Sequence, residues 1–249
     1  MNRVFSFFLV LFMNAIYAEE WLYQDDLKEL NENILLKNCN FNIDNNKYPI
    51  LYSALIKEIH SSDINKECKN LANDIIKKIN ERGLKKSTIT ISSRKPEYFL
   101  QDNGLRLYDD SNIAFSRVGK FNKISTKVSI RKFNNSNSIN FDESYVSYHG
   151  SKATFQLGRV SKWWSPSNES SIILSNSSRP MLGISVLNSS PIIFEKNFLS
   201  KYFHTLNYEF FIQRLEENRE ISNANLLGGR IHLSTKSNIK LSVFRTAQF

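Results

Sequence analysis

Leu206-Asn207-Tyr208-Glu209-Phe210-Phe211-Ile212-Gln213 sets Leu206, Tyr208, Phe210 and Ile212 against Asn207, Glu209 and Gln213. Successive strand residues point to opposite faces, so this period of two marks a strand with one apolar and one polar face. The alternation returns at Ala153, Phe155 and Leu157 against Thr154, Gln156 and Gly158, and again in Thr88-Ile89-Thr90-Ile91. Between such runs stand Asn134-Asn135-Ser136-Asn137, His149-Gly150-Ser151-Lys152 and Thr235-Lys236-Ser237-Asn238, whose residue types suit hairpin turns. Up-and-down antiparallel order follows. At roughly 16 to 20 residues per strand with its turn, residues 86–249 supply about 8 to 10 strands. A soluble sandwich and a membrane barrel both satisfy this pattern.

Upstream, from Asp26 to about residue 82, the apolar period is helical. Asp26 and Glu29 form a capping box, after which Leu27, Leu30, Ile34 and Leu35 share a face. A second helix opens at Pro49, where a missing amide is tolerated, and turns Leu51, Leu55 and Ile59 inward. The third carries Ile64, Cys68, Leu71, Ala72, Ile75 and Ile79 and stops at Gly83. Residues 19–85 therefore read as a three-helix unit. Both cysteines, Cys39 and Cys68, fall within it. In an oxidising compartment they can close a loop of about 30 residues, worth ~3 to 4 kcal/mol in the chain-entropy model. The other reading is two small buried hydrophobes.

Residues 1–18 have the form of a secretory signal: Arg3 supplies the positive end, Val4 to Met13 the apolar stretch, and Ala18 a small residue before the cleavage point. The apolar run is far short of the roughly 20 residues that a spanning helix needs. No later run is comparable, so membrane residence would come from strands, whose alternation a hydropathy scan does not register. The formal net charge is +9, and it becomes +8 once Arg3 leaves, because no acid precedes Glu19. The lysines are scattered along the sequence rather than gathered with aromatic residues, and no nucleic-acid partner is expected for an exported chain. Most of the excess reads as solvated surface, with acidic polysaccharide or lipopolysaccharide phosphate as the second reading.

One segment does not fit the plain alternation. Gly158-Arg159-Val160-Ser161-Lys162-Trp163-Trp164-Ser165-Pro166 sets two of the three tryptophans side by side, and Ile172-Ile173-Leu174-Ser175-Asn176-Ser177-Ser178-Arg179-Pro180 follows. Adjacent tryptophans in a strand point to opposite faces, so at least one is expected to meet lipid, sugar or a lumen. The segment resembles the capsule assembly (Wzi-like) family of bacterial outer-membrane proteins, whose hallmark is Gly-x-x-x-x-Trp-Trp-x-Pro and then Leu-Ile-Leu-Ser-x-x-x-Arg-Pro. Trp21-Leu22-Tyr23-Gln24-Asp25-Asp26-Leu27, with Leu35-Leu36 and Tyr48-Pro49-Ile50, resembles the family's small N-terminal helical unit. Gly228-Gly229-Arg230 and Leu241-Ser242-Val243-Phe244-Arg245-Thr246-Ala247-Gln248-Phe249 resemble a strand pair from the middle of family members.

The resemblance implies a fold that is mainly β with a small α N-terminal unit: an antiparallel transmembrane β-barrel, here partial, preceded by a periplasmic three-helix domain. It also implies that the second half of the barrel is missing. The strands would then come from a partner chain, or the chain would close a smaller barrel. An outer-membrane chain often ends in an aromatic residue that the barrel assembly machinery reads. The stripe running back from Phe249 through Ala247 and Val243 is broken by Arg245, so Phe249 reads as an accident of truncation.

The implied function is attachment or assembly of capsular or other surface polysaccharide at the outer membrane, lectin-like and without bond making. Trp163 and Trp164 would stack on sugar rings, and Arg159 and Arg179 would pair with uronate carboxylates. A second reading makes the tryptophans belt anchors and lets Arg179 tie a loop to a lumen carboxylate such as Glu169, with Pro166 and Pro180 shaping a plug loop. Arg230 and Arg245 are expected as lumen charges. A porin or structural envelope barrel, or a remnant without function, are the alternatives. No catalysis, cofactor or metal is expected. His60, His149, His204 and His232 stand in no metal spacing, His149 reads as a solvated turn residue, and the adjacent acids Asp109-Asp110, Asp142-Glu143 and Glu216-Glu217 read as solvated loops.

Overall fold

The computed structural model describes residues 21–22, 47–48, 50–52, 85–90, 111–134, 139–165, 171, 173–174, 179–195, 198–215, 221–235 and 239–249, with isolated positions between 56 and 77. The expected signal segment, most of the expected helical unit, Cys39, Cys68, Pro166 and Glu169 lie outside the described residues. Three short strands precede the main sheet: β1 (Trp21–Leu22), β2 (Lys47–Tyr48) and β3 (Ile50–Leu51). Leu51, expected on the inner face of a helix opened by Pro49, is instead a strand residue paired with Trp21. The ladder takes Ile50 and Leu51, and Tyr52, the next residue, is helical.

The main sheet follows the alternation. Its strands are β4 (Lys85–Thr90), β5 (Asn112–Phe121), β6 (Ile124–Phe133), β7 (Ile139–Asn140), β8 (Tyr145–His149), β9 (Ala153–Arg159), β11 (Leu182–Asn188), β12 (Ile192–Ile193), β13 (Phe203–Arg214), β14 (Asn225–Thr235) and β15 (Lys240–Gln248). β10 (Trp163–Trp164) lies off it and pairs with β2. The 11-stranded sheet runs in the order β15-β14-β13-β11-β9-β8-β6-β5-β4, with β7 on β6 and β12 on β13, and its ladders are antiparallel. Neighbours in sequence are neighbours in space, as hairpins demand. Asn122 and Asn223 sit at φ 53° and 57° in turns, a left-handed conformation that asparagine tolerates well. The strands at the two ends of the path, β4 and β15, do not pair with each other among the described residues.

The connections divide the sheet into two ends. Tight turns at Asn122–Lys123, Gly150–Lys152 and after Thr235 lie at one; the longer connections 134–144, 160–181 and 215–224 lie at the other. The distribution of polarity is the reverse of a soluble domain. Thr154 and Gln156 are buried at 0% and 3% exposure, while their neighbours Phe155 and Leu157 stand 52% and 53% exposed. Ser147, Ser185, Asn207, Glu209, Arg230 and His232 are buried in the same way, and Val146, Ile184, Phe210, Ile212, Leu227 and Ile231 are exposed beside them. Cross-strand partners share a face, so the registers join these residues into one apolar outer face and one polar inner face. A polar surface of this size needs partners when it is covered. The covering segments provide some of them, to Glu209 and Ser147.

Candidate functional site

The inner face is filled by the segment after β9 and by the N-terminal strands. Val160 to Ser165 turns inward from the end of β9, and Lys162, Trp163, Trp164 and Ser165 are all buried. Trp163 and Trp164 are 1% and 0% exposed. Of the surroundings expected for them, lipid, sugar or a lumen, both tryptophans lie on the inner side of the sheet and are covered there. β10 is a two-residue strand lying against the sheet, with β2 bonded along it, and neither of its faces reaches solvent.

Glu209 of β13 is the anchor. Its carboxylate accepts from Lys162 Nζ at 2.6 Å and from the Trp164 indole N–H at 3.2 Å. Lys162 and Glu209 side chains are 5% and 7% exposed, so the charges are taken out of water together. Trp164 lies 5.3 Å from the Phe211 ring and 6.1 Å from the Phe244 ring, and the Lys162 ammonium stands 5.6 Å from Phe211. Arg230 faces Glu209 across the ladder, and its guanidinium is 5.5 Å from Phe244. Arg230 is 1% exposed on the inner face.

Gly228 makes this floor possible. It is opposite Phe211 in the ladder, and a Cβ there would come within 2.1 Å of the Phe211 ring. The ring is held from above by Trp164 and Lys162 and has little freedom to retreat. Gly228→Ala should therefore destabilise the fold by ~1 to 3 kcal/mol, an overpacking cost. Urea unfolding followed by tryptophan fluorescence checks it.

A second cluster is built where the strand facing β6 breaks between β7 and β8. Glu143 takes φ 66°, and the Ser144 hydroxyl replaces the ladder by accepting from Ser129 N at 2.9 Å and donating to Ser129 O at 3.1 Å. Such an interruption re-aims side chains. Asp142 is turned inward, 2% exposed, and receives Arg179 Nε at 3.0 Å from each of its oxygens; Arg179 also donates to Asn140 Oδ1. Glu143 Oε1 accepts from the Ser161 hydroxyl at 2.5 Å. Asp142 and Glu143, expected in a solvated loop, are thus engaged, because the interruption between β7 and β8 points them at the returning segment. Arg179 ties that segment to Asp142; Glu169, the carboxylate expected for it, lies outside the described residues. Pro180 is buried beside it. Arg159 ends β9 half-buried, its backbone N–H on Ser144 O at 2.8 Å.

Two further expectations are corrected. His149 is not a solvated turn residue. It ends β8 half-buried, with ring nitrogens 2.7 Å from Ser125 Oγ and 3.4 Å from Thr154 Oγ1, and its ring is 6.2 Å from Trp21. Arg245 is not a lumen charge. It is exposed and paired with Gly229, while Ser242, Phe244 and Thr246 take the inner positions of β15. Its parity with Val243 and Ala247 decided this. Trp21, whose indole donates to Ser147 Oγ at 3.2 Å, packs with Leu51, Tyr145, Val160 and Leu187 on the inner face. Glu209, Lys162, Phe211 and Asp142 were missed by sequence reasoning. Glu209 was visible only as one polar position of an alternating strand.

An apolar outward face and a polar inward face covered by the chain's own segments are the polarity of a membrane β-barrel wall, here as an open sheet. The chain belongs to the capsule assembly protein Wzi family, whose model matches residues 83–249. In structure it is similar to Wzi of Escherichia coli, described as an outer membrane protein involved in group 1 capsule assembly and a carbohydrate-binding β-barrel, at a TM-score of 0.75 and 14% identity. That similarity covers 93% of this chain and 54% of the Escherichia coli chain, so the present chain spans about half the length of that structure. No curated protein matches the chain in sequence.

Proposed function

We propose that this chain is a non-enzymatic part of an outer-membrane barrel that holds capsular or other extracellular polysaccharide at the cell surface, with its N-terminal unit on the periplasmic side. The observation that carries the reading is the inverted sheet: exposed Ile113, Phe155, Ile184, Phe210 and Leu227 over buried Asn112, Thr154, Ser185, Asn207 and Arg230. Such a face is costly in water and suited to lipid. Family membership supports the capsule role. The partners are polysaccharide, outer-membrane lipid, the barrel assembly machinery and further strands alongside β4 and β15.

Buried Trp163 and Trp164 serve the plug in this reading, and sugar contact falls to the long-connection end. Arg159 and Arg179 stand there, and the Arg179 side chain keeps 36% exposure beside a carboxylate with 1%. An arginine fork suits the carboxylate of an acidic sugar. The test is outer-membrane fractionation with and without heating before electrophoresis, followed by retention of labelled capsular polysaccharide on cells. A heat-modifiable outer-membrane band with retention that falls in Arg159→Ala and Arg179→Ala is the expected result. Recovery only as aggregate, or retention unchanged by both variants, overturns the reading.

A porin is the competing function, and the filled interior opposes it. Barrels carrying this chain should conduct poorly across a planar bilayer, far below an open channel. Steady porin-like conductance at rest would count against the plug.

A further inference from the structure

Several of the lysines that are scattered in sequence meet at one rim of the sheet. We propose that the tight-turn end of the sheet is a binding collar for anionic phospholipid headgroups, in the leaflet that meets this end; the proposal rests on the membrane reading above. Each connection at this end carries an exposed lysine: Lys123 between β5 and β6, Lys152 between β8 and β9, Lys201 between β12 and β13, and Lys240 where β15 opens. Backbone bonds tie neighbouring connections side by side, with His149 N on Lys123 O at 2.7 Å and Ser189 N on Lys152 O at 3.1 Å. Strands lie ~4.8 Å apart, so successive hairpins place their ammonium groups about 10 Å apart around the rim. Among the described residues of these connections, the one acid is Glu195.

The apolar neighbours of the collar point to a membrane interface rather than to open water. Phe121 and Leu241 are exposed immediately beside Asn122–Lys123 and Lys240 and continue the outer band. The β11–β13 connection extends this rim with exposed Ile192, Ile193, Phe198, Leu199 and Tyr202, of which Phe198 is 79% exposed. The Phe198 and Tyr202 rings meet edge-on at 5.8 Å, and the Lys201 ammonium lies 5.7 Å from the Tyr202 ring. Aromatic bodies with a phenol tip and lysine stems with charged heads are the chemistry of the headgroup layer. Charge complementarity selects a phosphate-bearing lipid as the occupant.

The experiment titrates the full chain, held in zwitterionic detergent, with short-chain phosphatidylglycerol and separately with phosphatidylcholine of the same acyl length, and reads apparent Kd from the shift in Tm. Phosphatidylglycerol should bind more tightly, and the preference should shrink as salt is raised. Changing Lys123, Lys152, Lys201 and Lys240 together to Gln should weaken phosphatidylglycerol by about five-fold for each lysine removed and leave phosphatidylcholine unchanged. Lys132→Gln with Arg214→Gln, at the opposite end, should leave the preference intact. Equal binding of the two lipids by the wild-type chain overturns the collar but leaves the membrane reading standing. Binding of neither lipid overturns both. An acidic polysaccharide that displaces phosphatidylglycerol through the same lysines would make the rim a sugar surface and also overturn the proposal.

Discussion

Trp164→Ala should lower stability by ~3 to 5 kcal/mol, at the top of the range for a truncated core aromatic. Trp164 is 0% exposed, packs on Phe211 and Phe244, and gives its indole hydrogen to Glu209. Removing it leaves a cavity against a charged group. The loss also reaches the N-terminal strands, because Trp164 pairs with Lys47 across β10 and β2. Urea unfolding by circular dichroism measures the first effect, and proteolysis near residue 47 measures the second. A change below 1 kcal/mol would mean that β10 does not rest inside the sheet. Trp164→Phe separates packing from the hydrogen bond, and should recover much of the loss.

Glu209→Ala should be of comparable size, ~3 to 5 kcal/mol, for a different reason. Breaking a buried pair strands the surviving charge, whereas replacing both members by apolar groups is often nearly neutral. Lys162 and Glu209 meet at 2.6 Å with almost no exposure, so Glu209→Ala leaves an ammonium without its carboxylate inside the sheet. The double variant Lys162→Met, Glu209→Leu should therefore be more stable than Glu209→Ala alone. A double-mutant cycle in which the two single changes simply add would show that the groups do not depend on each other. Opening of the plug is the functional counterpart, read as increased planar-bilayer conductance of barrels that carry Glu209→Ala.

The alternation of the sheet was legible in the chain, and what covers its inner face was not. Alternation in β9 and β13 is a local property, carried by residues two apart, and the turns at His149 to Lys152 and after Thr235 are local too. The Trp-Trp segment was legible as a signature, yet its burial was not, because opposite-facing side chains can both be covered when a strand is enclosed on each side. Lys162 and Glu209 are 47 residues apart, and Arg179 and Asp142 are 37 apart; no local period connects them. Arg245 illustrates the same divide, since its outward position depends on the register of β15 with β14.

From the sequence alone came the strand alternation after residue 86, its antiparallel order, the family resemblance and the excess of positive charge, all of which depend on residue type and short spacing. Only the tertiary structure decided which face of the sheet is turned outward, what fills the inner one, and where the lysines collect. Those are matters of register and long-range closure, and they arise when a hairpin sheet brings residues far apart in the chain to one face or one rim.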